Sequence, residues 1–306
     1  MFLNTDSKHI WLNGSFQPFN DTNIHLLSHT LHYGLGAFEG VRAYKTNDGG
    51  AIFRLREHTE RLFDAASKIN ISIPYSIEEL ETAQRDAMTK NNLQEGYIRP
   101  IVFLGSESMG LRAKDLVSVN VAVACWEWPS YMSPEAKEKG ISIIKSPYQQ
   151  YENPLYSNNK IIGTYINSIM ALHDALAQNA DEAILLDKNG FISEGSGENL
   201  FIIKNSKLMT PKTDFCLNGL TRQSVIQIAK NLQIDVAETD LTFEDLLDAD
   251  EAFFSGTAVE ITPITKVNET TIGKGVIGTM TKILQSKYSD IVCGKDDTYS
   301  SWLTAI

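Results

Sequence analysis

Apolar residues along this chain fall into short runs, in which they alternate with polar residues, and into stretches where they recur every three to four positions. The short runs predict strands, and they are bounded by glycine, asparagine or aspartate. One pair of runs flanks Asn13-Gly14, a dipeptide typical of a tight hairpin turn. Strands are predicted at residues 10–12, 15–18, 41–44, 51–53, 97–104, 117–124, 141–144, 183–186, 200–203, 234–237, 251–254 and 261–264.

Helical spacing appears first at Leu55, Leu62, Ala66 and Ile69. A second helix is predicted to begin after Ser76, because Glu79 follows three residues later in a capping-box pattern. Further helices are predicted at 164–179, 221–232 and 280–288, and a loop at 146–159. Strands and helices mix without a strict strand–helix–strand repeat, so we predict a mixed α/β (α+β) fold and not a doubly wound sheet.

The chain has 306 residues, a length that favours two domains. Its composition changes at residues 126–140, where Pro129 and Pro134 interrupt both ladder and helix. We therefore predict a small N-terminal α/β domain at 1–125, an interdomain linker at 126–140, and a large C-terminal α/β domain at 141–306.

A formal net charge of −11 argues against nucleic acid or an anionic membrane as partner, since both require basic patches. Cys125, Cys216 and Cys293 have no paired spacing, which is typical of a reducing compartment. The polar start does not resemble a signal peptide, and no apolar run approaches 18 residues. We expect a cytoplasmic protein, and no metal site is predicted.

The segment from Phe191 to Phe201 holds two glycines, two serines and two glutamates between apolar runs. A buried carboxylate is costly unless a cation or a hydrogen-bond donor faces it. One hypothesis is that Glu194 faces a positively charged cofactor ring. The alternative is a polar loop with solvated glutamates.

Lys160 follows a polar loop and precedes Ile161, Ile162 and a glycine. A lysine in a drier site loses its proton more easily and can form a covalent link to a carbonyl group. A carboxylate such as Glu194 is what a protonated ring nitrogen requires. Tyr165, shortly after Lys160, is a candidate donor to the ring oxygen, although packing in the helix explains it equally well.

Two glycine-containing segments are candidate anion sites. Gly219-Leu220-Thr221 introduces a helix, and Gly256-Thr257-Ala258 follows a strand, so backbone amides in both could bind phosphate. Arg56 could add a guanidinium. Its alternative role is a surface ion pair with Glu57 or Glu60.

Tyr97 and Arg99 are two residues apart in a predicted strand and therefore point to one face. An arginine on an otherwise apolar strand suggests carboxylate recognition, because the guanidinium binds a carboxylate through two hydrogen bonds. The alternative is a buried structural arginine.

Seven segments together resemble the bacterial type of branched-chain amino acid aminotransferase, and they occur in the order of that family. The likeness runs from about Ile10 to the last predicted helix. The segments are Ser28-His-Thr-Leu-His-Tyr-Gly34, Phe38-Glu-Gly-Val-Arg42, Arg56-Glu-His58, Tyr97-Ile-Arg-Pro100, Ile192-Ser-Glu-Gly-Ser-Gly-Glu-Asn-Leu-Phe201, Gly219-Leu-Thr-Arg222 and Ser255-Gly-Thr-Ala-Val-Glu-Ile-Thr-Pro263.

The resemblance implies a two-domain pyridoxal 5'-phosphate enzyme of fold type IV, like D-amino acid aminotransferase, with its active site at the domain interface. Lys160 would bind the cofactor covalently and move the proton at the substrate Cα, and Glu194 and Tyr165 would hold the ring nitrogen and ring oxygen. The phosphate would meet Arg56, Leu220, Thr221 and Thr257, and the substrate α-carboxylate would meet Thr257 and Ala258. The substrate side chain would lie among Tyr33, Phe38, Leu111, Trp128 and Tyr131, with Tyr97 and Arg99 binding the distal carboxylate of glutamate.

The implied reaction is transfer of an amino group from L-leucine, L-isoleucine or L-valine to 2-oxoglutarate. Tyr33 and Leu111 would come from a partner subunit, which implies at least a homodimer and allows a hexamer. Two alternatives on the same fold stay open, a D-amino acid aminotransferase and an aminodeoxychorismate lyase. A non-catalytic binding protein is a third, and the presence of Lys160 disfavours it.

Overall fold

The computed structural model describes residues 8–113, 116–128 and 132–306. The chain divides into two compact units. The first comprises Met1–Pro129, Lys160–Gly163 and Ile291–Ile306, and the second comprises Ser130–Asn159 and Thr164–Asp290. The segment Lys160–Gly163 thus belongs to the first unit, although the segments before and after it belong to the second. Within the described residues, no helix combines the length and apolar character that crossing a membrane requires.

The first unit contains one sheet. Its strands are β1 (His9–Leu12), β2 (Ser15–Pro18), β3 (Gly36–Phe38), β4 (Val41–Thr46), β5 (Gly49–Phe53), β6 (Gly96–Leu104), β7 (Val119–Trp126) and β17 (Leu303–Ala305). The strand order is β17-β5-β4-β6-β7-β1-β2, and β3 pairs with β6. The pairings described for this sheet are antiparallel.

The helices of the first unit are α1 (His29–Tyr33), α2 (Leu55–Lys68) and α3 (Ile77–Lys90). Leu62 of α2 and Leu80 of α3 are fully buried, and α3 packs on the sheet at β1 and β7. The capping box is confirmed, since the Ser76 side chain accepts from the Glu79 amide and Glu79 accepts from the Ser76 amide. The Asn13-Gly14 hairpin is also confirmed, with positive φ at both residues.

The second unit contains a larger, mixed sheet. Its strands are β8 (Ile141–Gln149), β9 (Glu182–Leu186), β10 (Ile192–Gly195), β11 (Asn199–Lys204), β12 (Lys207–Pro211), β13 (Val236–Thr239), β14 (Glu251–Gly256), β15 (Glu260–Val267) and β16 (Thr270–Thr271). The strand order is β10-β9-β8-β15-β14-β11-β12-β13, and β16 pairs with β15. Strand β8 is parallel to both of its neighbours, β9 and β15.

The helices of the second unit are α4 (Pro134–Lys139), α5 (Pro154–Ser157), α6 (Tyr165–Ala177), α7 (Leu220–Asn231), α8 (Phe243–Leu247) and α9 (Thr279–Val292). Helix α4 packs on the sheet at β15, α6 at β8 and β9, and α7 at β14. Phe201 and Phe253 lie on the neighbouring strands β11 and β14, and their rings stack 5.0 Å apart with no exposed surface. Burying a side chain of this size contributes about 1.5–3 kcal/mol.

The mixed α/β prediction is confirmed, and the predicted strands and long helices are present with shifted ends. The main differences lie in polar segments. Strand β8 continues to Gln149 through residues predicted as loop, and Glu194 lies inside strand β10. Both departures occur beside irregular register, between Lys145 and Gln149 in one case and between Ile192 and Glu194 in the other. A bulge lets a strand continue past an irregular position, and in this way both strands extend into polar residues.

Candidate active site

The segment that carries Lys160 is attached to the first unit by backbone hydrogen bonds. The Lys160 carbonyl accepts from the Phe38 amide at 3.1 Å, and the Gly163 amide donates to Gly34 at 2.9 Å. A Cβ added to Gly34 would lie 2.8 Å from the Gly163 Cα, so no side chain fits between the two backbones. The Lys160 side chain is half-buried, and its Nζ lies 5.5 Å from the centre of the Phe38 ring.

Glu39, directly after Phe38, lies at the centre of a buried charge cluster. Its carboxylate accepts from Arg61 Nε at 2.6 Å and Nη2 at 3.0 Å, and from His58 Nδ1 at 2.8 Å. Glu39 is fully buried, and the Arg61 side chain is only 16% exposed. The bidentate contact is the strongest form of this ion pair. We call Glu39, His58 and Arg61 the buried triad.

Burial acts to raise the pKa of Glu39, but the charge of Arg61 and the hydrogen bonds from His58 and Arg61 hold it well below its usual range. Burial lowers the pKa of His58, partly against the effect of Glu39, and the charges of Arg61 and Lys160 lower it further. Neutral His58 therefore donates its Nδ1 proton to an ionised Glu39. The contribution of Lys160 shows that its ammonium lies within electrostatic reach of this cluster.

Arg99, on strand β6, lies among the aromatic rings of Phe38, Tyr97 and Trp126, a group that we call the aromatic box. Its guanidinium carbon is 4.6 Å from the ring centre of Phe38, 5.4 Å from that of Tyr97 and 6.0 Å from that of Trp126. Aromatic faces attract a cation, and this attraction strengthens when water is excluded. Tyr97 and Arg99 point to one face as predicted, with the Tyr97 hydroxyl 3.5 Å from Arg99 Nη2.

Three further features concern the same box. Trp128 lies beside Tyr97, with ring centres 4.5 Å apart. Arg99 Nε is buried and has no hydrogen-bond partner among the described residues. A buried donor of this kind marks a place where an external acceptor can bind. Gly40 makes the arrangement possible, because a Cβ at this position would lie 1.8 Å from the Tyr97 hydroxyl.

Glu194 in the second unit is buried and receives neutral donors. Its Oε1 accepts from Gln150 at 2.7 Å, and its Oε2 accepts from the Leu217 amide at 3.2 Å and from Asn199 at 3.4 Å. These bonds orient the carboxylate. Burial raises the pKa of the Cys216 thiol, and the negative charge of Glu194 adds to that rise.

Asn199 connects Glu194 to the start of helix α7. The same side-chain amide that faces Glu194 donates to the Leu217 carbonyl at 2.8 Å. The N-cap of α7 is Gly219, which has no side chain to cap the helix, and Leu220 and Thr221 form its first turn. Helix N-termini carry partial positive charge and bind anions through their amides. The predicted phosphate segment is therefore part of the same local structure as Glu194.

The second predicted anion segment, Thr257-Ala258, connects β14 to β15. Ser255 Oγ, at the end of β14, is buried and has no hydrogen-bond partner among the described residues. The backbone carbonyl of Gly197 lies 3.7 Å from the position of a Cβ on Gly256, so this segment passes close to the turn that follows Glu194. Tyr165 is the half-buried first residue of α6.

The remaining predicted residues divide into exposed and undescribed groups. Arg56 has a side chain 46% exposed, and it pairs with Glu60 at 2.8 Å and Glu78 at 2.6 Å. This geometry favours the surface ion pair that the sequence left open, while a role in phosphate binding stays a prediction. Tyr33 and Leu111 are 42% and 86% exposed, and Tyr131 lies outside the described residues.

Each unit thus brings together some of the predicted site residues. The first unit brings Phe38, Tyr97, Arg99 and Trp128 together beside Lys160, and the second brings Glu194 together with the start of α7. Pairing of Lys160 with Glu194 joins residues of different units and stays a prediction.

Sequence reasoning missed the buried triad, Gln150 and Asn199. Helical periodicity contains a signal for Arg61, because position 61 is three residues after buried His58 and four before buried Ala65. Gln150 lies in a predicted loop, and no local pattern indicates its contact with Glu194.

Comparisons with known proteins show which proteins this chain is similar to. The model of the family described as Amino-transferase class IV matches residues 36–267. The chain is 47% identical over 298 residues to a branched-chain-amino-acid aminotransferase of Pseudomonas aeruginosa, covering 97% of each chain. It is 40% identical over 300 residues to the Escherichia coli K12 enzyme of that name, again covering 97% of each.

Solved structures of the same kind superpose closely. A T.th. branched-chain amino acid aminotransferase complexed with N-(5'-phosphopyridoxyl)-L-glutamate gives a TM-score of 0.93 at 39% identity, over 98% of each chain. The same T.th. enzyme complexed with 4-methylvaleric acid gives 0.93 at 38% identity, over 99% of each chain.

The buried triad gives a prediction for stability. Replacing Glu39 by Gln leaves Arg61 without its carboxylate in a buried setting, and breaking such a pair costs about 3–5 kcal/mol. We expect Glu39→Gln to lose about this much free energy of unfolding at neutral pH. The exposed change Glu60→Gln should cost less than about 1 kcal/mol.

The free energy of unfolding lost in Glu39→Gln should be largest at neutral pH and should decrease towards acid. The folded pKa of Glu39 is lowered, so its stabilising contribution is present above the ordinary glutamate pKa of about 4.3 and declines as pH falls below it. Denaturant unfolding from pH 7 to pH 3 should show wild type and Glu39→Gln converging towards acid. A constant difference at every pH would contradict this account of the triad.

Proposed function

The chain belongs to the class IV aminotransferase family, and we propose that it transfers the amino group of L-leucine, L-isoleucine and L-valine to 2-oxoglutarate. The products are branched-chain 2-oxo acids and L-glutamate. The observation that carries the proposal is the aromatic box around Arg99, placed beside the lysine segment. The fold of the chain is that of the two-domain fold type IV enzymes.

The cofactor of this family is pyridoxal 5'-phosphate, and the residues present fit its chemical groups. A buried carboxylate that accepts from neutral amide donors suits a protonated ring nitrogen, and Glu194 is such a group. The α7 start and the buried Ser255 hydroxyl suit a phosphate. When bound, the cofactor supplies a conjugated ring that accepts electrons from the bonds of the substrate Cα.

The residues of the chain position the reactants and move a proton. Lys160 holds the cofactor and carries the proton of the substrate Cα, which requires an amine that can lose its own proton. Tyr165 is proposed at the ring oxygen, and Thr257 and Ala258 at the phosphate and the substrate carboxylate.

The aromatic box supports two kinds of substrate side chain. Ring faces of Phe38, Tyr97 and Trp128 offer apolar contact to an isobutyl group. Arg99 offers hydrogen-bond donors to the distal carboxylate of glutamate. In the related T.th. enzyme, one complex contains a phosphopyridoxyl-L-glutamate and another contains 4-methylvaleric acid. A cation held by rings can remain charged without a carboxylate when the aliphatic substrate is bound.

Several further points belong to the proposal. The active site is proposed at the interface of domains 1–125 and 141–306, and Leu111 and Tyr33, both exposed here, are proposed to enter the site of a partner subunit. A homodimer at minimum, with a hexamer as the larger form, accounts for these exposed apolar groups. Sedimentation velocity tests the assembly.

A cytoplasmic location is also proposed, in keeping with three free cysteines.

Lys160 provides the direct test of catalysis. Lys160→Ala removes the amine, so we expect loss of the absorbance band of the bound cofactor and of turnover with L-leucine and 2-oxoglutarate. An assay of the wild type with L-leucine, D-alanine and aminodeoxychorismate separates the proposal from the two alternatives on this fold. Turnover retained in Lys160→Ala, or a preference for D-alanine, would contradict it.

Arg99 provides the test of substrate recognition. Arg99→Met keeps much of the packing in the box and removes the charge. Loss of a charge-assisted hydrogen bond costs about 1.5–3 kcal/mol, so KM for glutamate should rise roughly 10- to 150-fold, and KM for leucine far less. Arg85→Met, on the exposed face of α3, serves as control. Equal losses for glutamate and leucine would rule out carboxylate recognition by Arg99.

The two arginines of α2 can be compared directly. Arg61 is buried and belongs to the unit of Lys160, whereas Arg56 is paired on the surface. A lysine cannot reproduce the two-pronged contact of arginine. If Arg61 supplies the guanidinium for the cofactor phosphate, Arg61→Lys should weaken cofactor affinity about tenfold, or about 1.4 kcal/mol. Arg56→Lys should leave it nearly unchanged in a fluorescence titration, and the reverse order would restore the role predicted for Arg56.

A further inference from the structure

Arg222, the third residue of α7, is a buried arginine outside the set of proposed ligand-binding residues. Its side chain is only 2% exposed. Its Nη2 donates to the Pro211 carbonyl at 2.8 Å and to Glu238 Oε2 at 2.7 Å, and its Nη1 donates to Asn218 Oδ1 at 3.2 Å. A buried charge is costly unless it is paired and hydrogen-bonded, and these three acceptors meet that requirement.

The acceptors of Arg222 lie at both ends of the segment that leads into α7. Pro211 is the last residue of β12, and Asn218 directly precedes the N-cap of the helix. The loop of residues 212–219, which we call the α7 loop, is therefore closed at its base by one guanidinium. Glu238 adds an anchor on β13, the strand at the edge of the sheet beside β12.

The middle of the α7 loop contacts the strand that carries Glu194. The Ser193 hydroxyl donates to the Phe215 carbonyl at 2.7 Å, and the Leu217 amide donates to Glu194. The Gly219 amide donates in turn to the Leu217 carbonyl at 2.9 Å. Only two residues thus separate the contact with Glu194 from the N-cap of α7, and the path of the loop decides where the first turn of the helix lies.

The first turn of α7 lacks the groups that usually stabilise a helix start. Its N-cap is a glycine without a capping side chain, and no acidic residue occurs in the turn. A cation is unfavourable there, because the N-terminus of a helix already carries partial positive charge. The stability of α7 alone therefore does not explain Arg222, whereas its contacts with β12, β13 and Asn218 do.

We propose that Arg222 is a positioning residue, which closes the α7 loop and so fixes the direction of the Leu220 and Thr221 amides. This inference rests on the proposed function, since those two amides are the proposed ligands of the cofactor phosphate. Closure of the loop does not depend on the cofactor. The two statements are therefore tested by different measurements.

Position and charge give opposite expectations for two variants. If Arg222 acted only through its positive charge, Glu238→Gln should strengthen the binding of an anion, because it removes a nearby negative charge, and Arg222→Lys should behave as wild type. If Arg222 acts by position, Glu238→Gln should weaken binding, because the ion pair that holds the guanidinium is lost. Arg222→Lys should then fail to restore affinity, since a lysine has no planar fork to reach separate acceptors.

Absorbance titration of the full-length chain with two ligands isolates the phosphate contact. Pyridoxal has the ring and aldehyde of pyridoxal 5'-phosphate and no phosphate. Arg222→Met should weaken binding of pyridoxal 5'-phosphate about tenfold, roughly 1.4 kcal/mol, and of pyridoxal less than about twofold. Glu238→Gln should weaken binding of pyridoxal 5'-phosphate about threefold, because a charge-assisted hydrogen bond becomes a neutral one.

Lys230→Met is the matched control, because it removes an exposed cation from the last turn of the same helix, and it should change neither affinity. Glu238→Gln keeps the contacts of Arg222 with Pro211 and Asn218, and the Glu238 side chain is 48% exposed, so this variant decides the question even if Arg222→Met folds poorly. Equal weakening of both ligands in Arg222→Met, or tighter binding of pyridoxal 5'-phosphate in Glu238→Gln, would overturn the proposal.

Hydrogen exchange of the full-length chain without added cofactor tests the closure of the loop by itself. Arg222→Met should speed exchange of the Gly219 amide by about tenfold or more, because the contacts at the base of the loop limit its local opening. Lys230→Met should leave that rate at the wild-type value. An unchanged rate in Arg222→Met would show that the guanidinium does not close the loop.

The wild type separates failure of this inference from failure of the proposed function. A wild type that binds pyridoxal 5'-phosphate no more tightly than pyridoxal would overturn both the proposed phosphate site and the positioning role. A wild type that prefers pyridoxal 5'-phosphate, with the same preference in Arg222→Met, would overturn the positioning role alone.

Discussion

The bidentate ion pair between Glu39 and Arg61 is the contact on which the lysine side of the structure depends. It joins the residue after β3 to the middle of α2, and its third member, His58, completes the carboxylate's hydrogen bonds. The adjacent residue, Phe38, binds the Lys160 carbonyl and covers Arg99. One short segment, Phe38-Glu39-Gly40, therefore links the buried charges, the lysine and the aromatic box.

The two units solve the problem of a buried carboxylate in different ways. In the first unit a guanidinium neutralises Glu39, so that little of its charge is available to a ligand. In the second unit Glu194 accepts hydrogen bonds from the Gln150 and Asn199 side chains and from the Leu217 amide, which hold it in place. The same residue type is thus held by a guanidinium in one setting and by amide donors in the other.

Local patterns in the sequence predicted the features that depend on neighbouring residues. The Asn13-Gly14 turn, the Ser76 capping box and the shared face of Tyr97 and Arg99 each follow from a few adjacent positions. Features that depend on distant contacts were not predictable in the same way. Arg56 and Arg61 lie in one helix and differ mainly in the face they present. Gln150 reaches Glu194 only because β8 continues past Pro147 beside β9, which its polar composition does not indicate.

The close approach of Gly34 to Gly163 has a further consequence for the evolution of this chain. A Cβ on Gly34 would lie 2.8 Å from the Gly163 Cα, whereas a Cβ on Gly163 would lie 3.1 Å from the Gly34 carbonyl oxygen. Gly34 also has φ of +69°, which few other residues adopt. Gly34 is therefore the more strictly constrained of the two positions, because its substitution meets both a backbone clash and a strained φ. The rings around Arg99 can therefore change without a change in the backbone contact that holds the Lys160 segment.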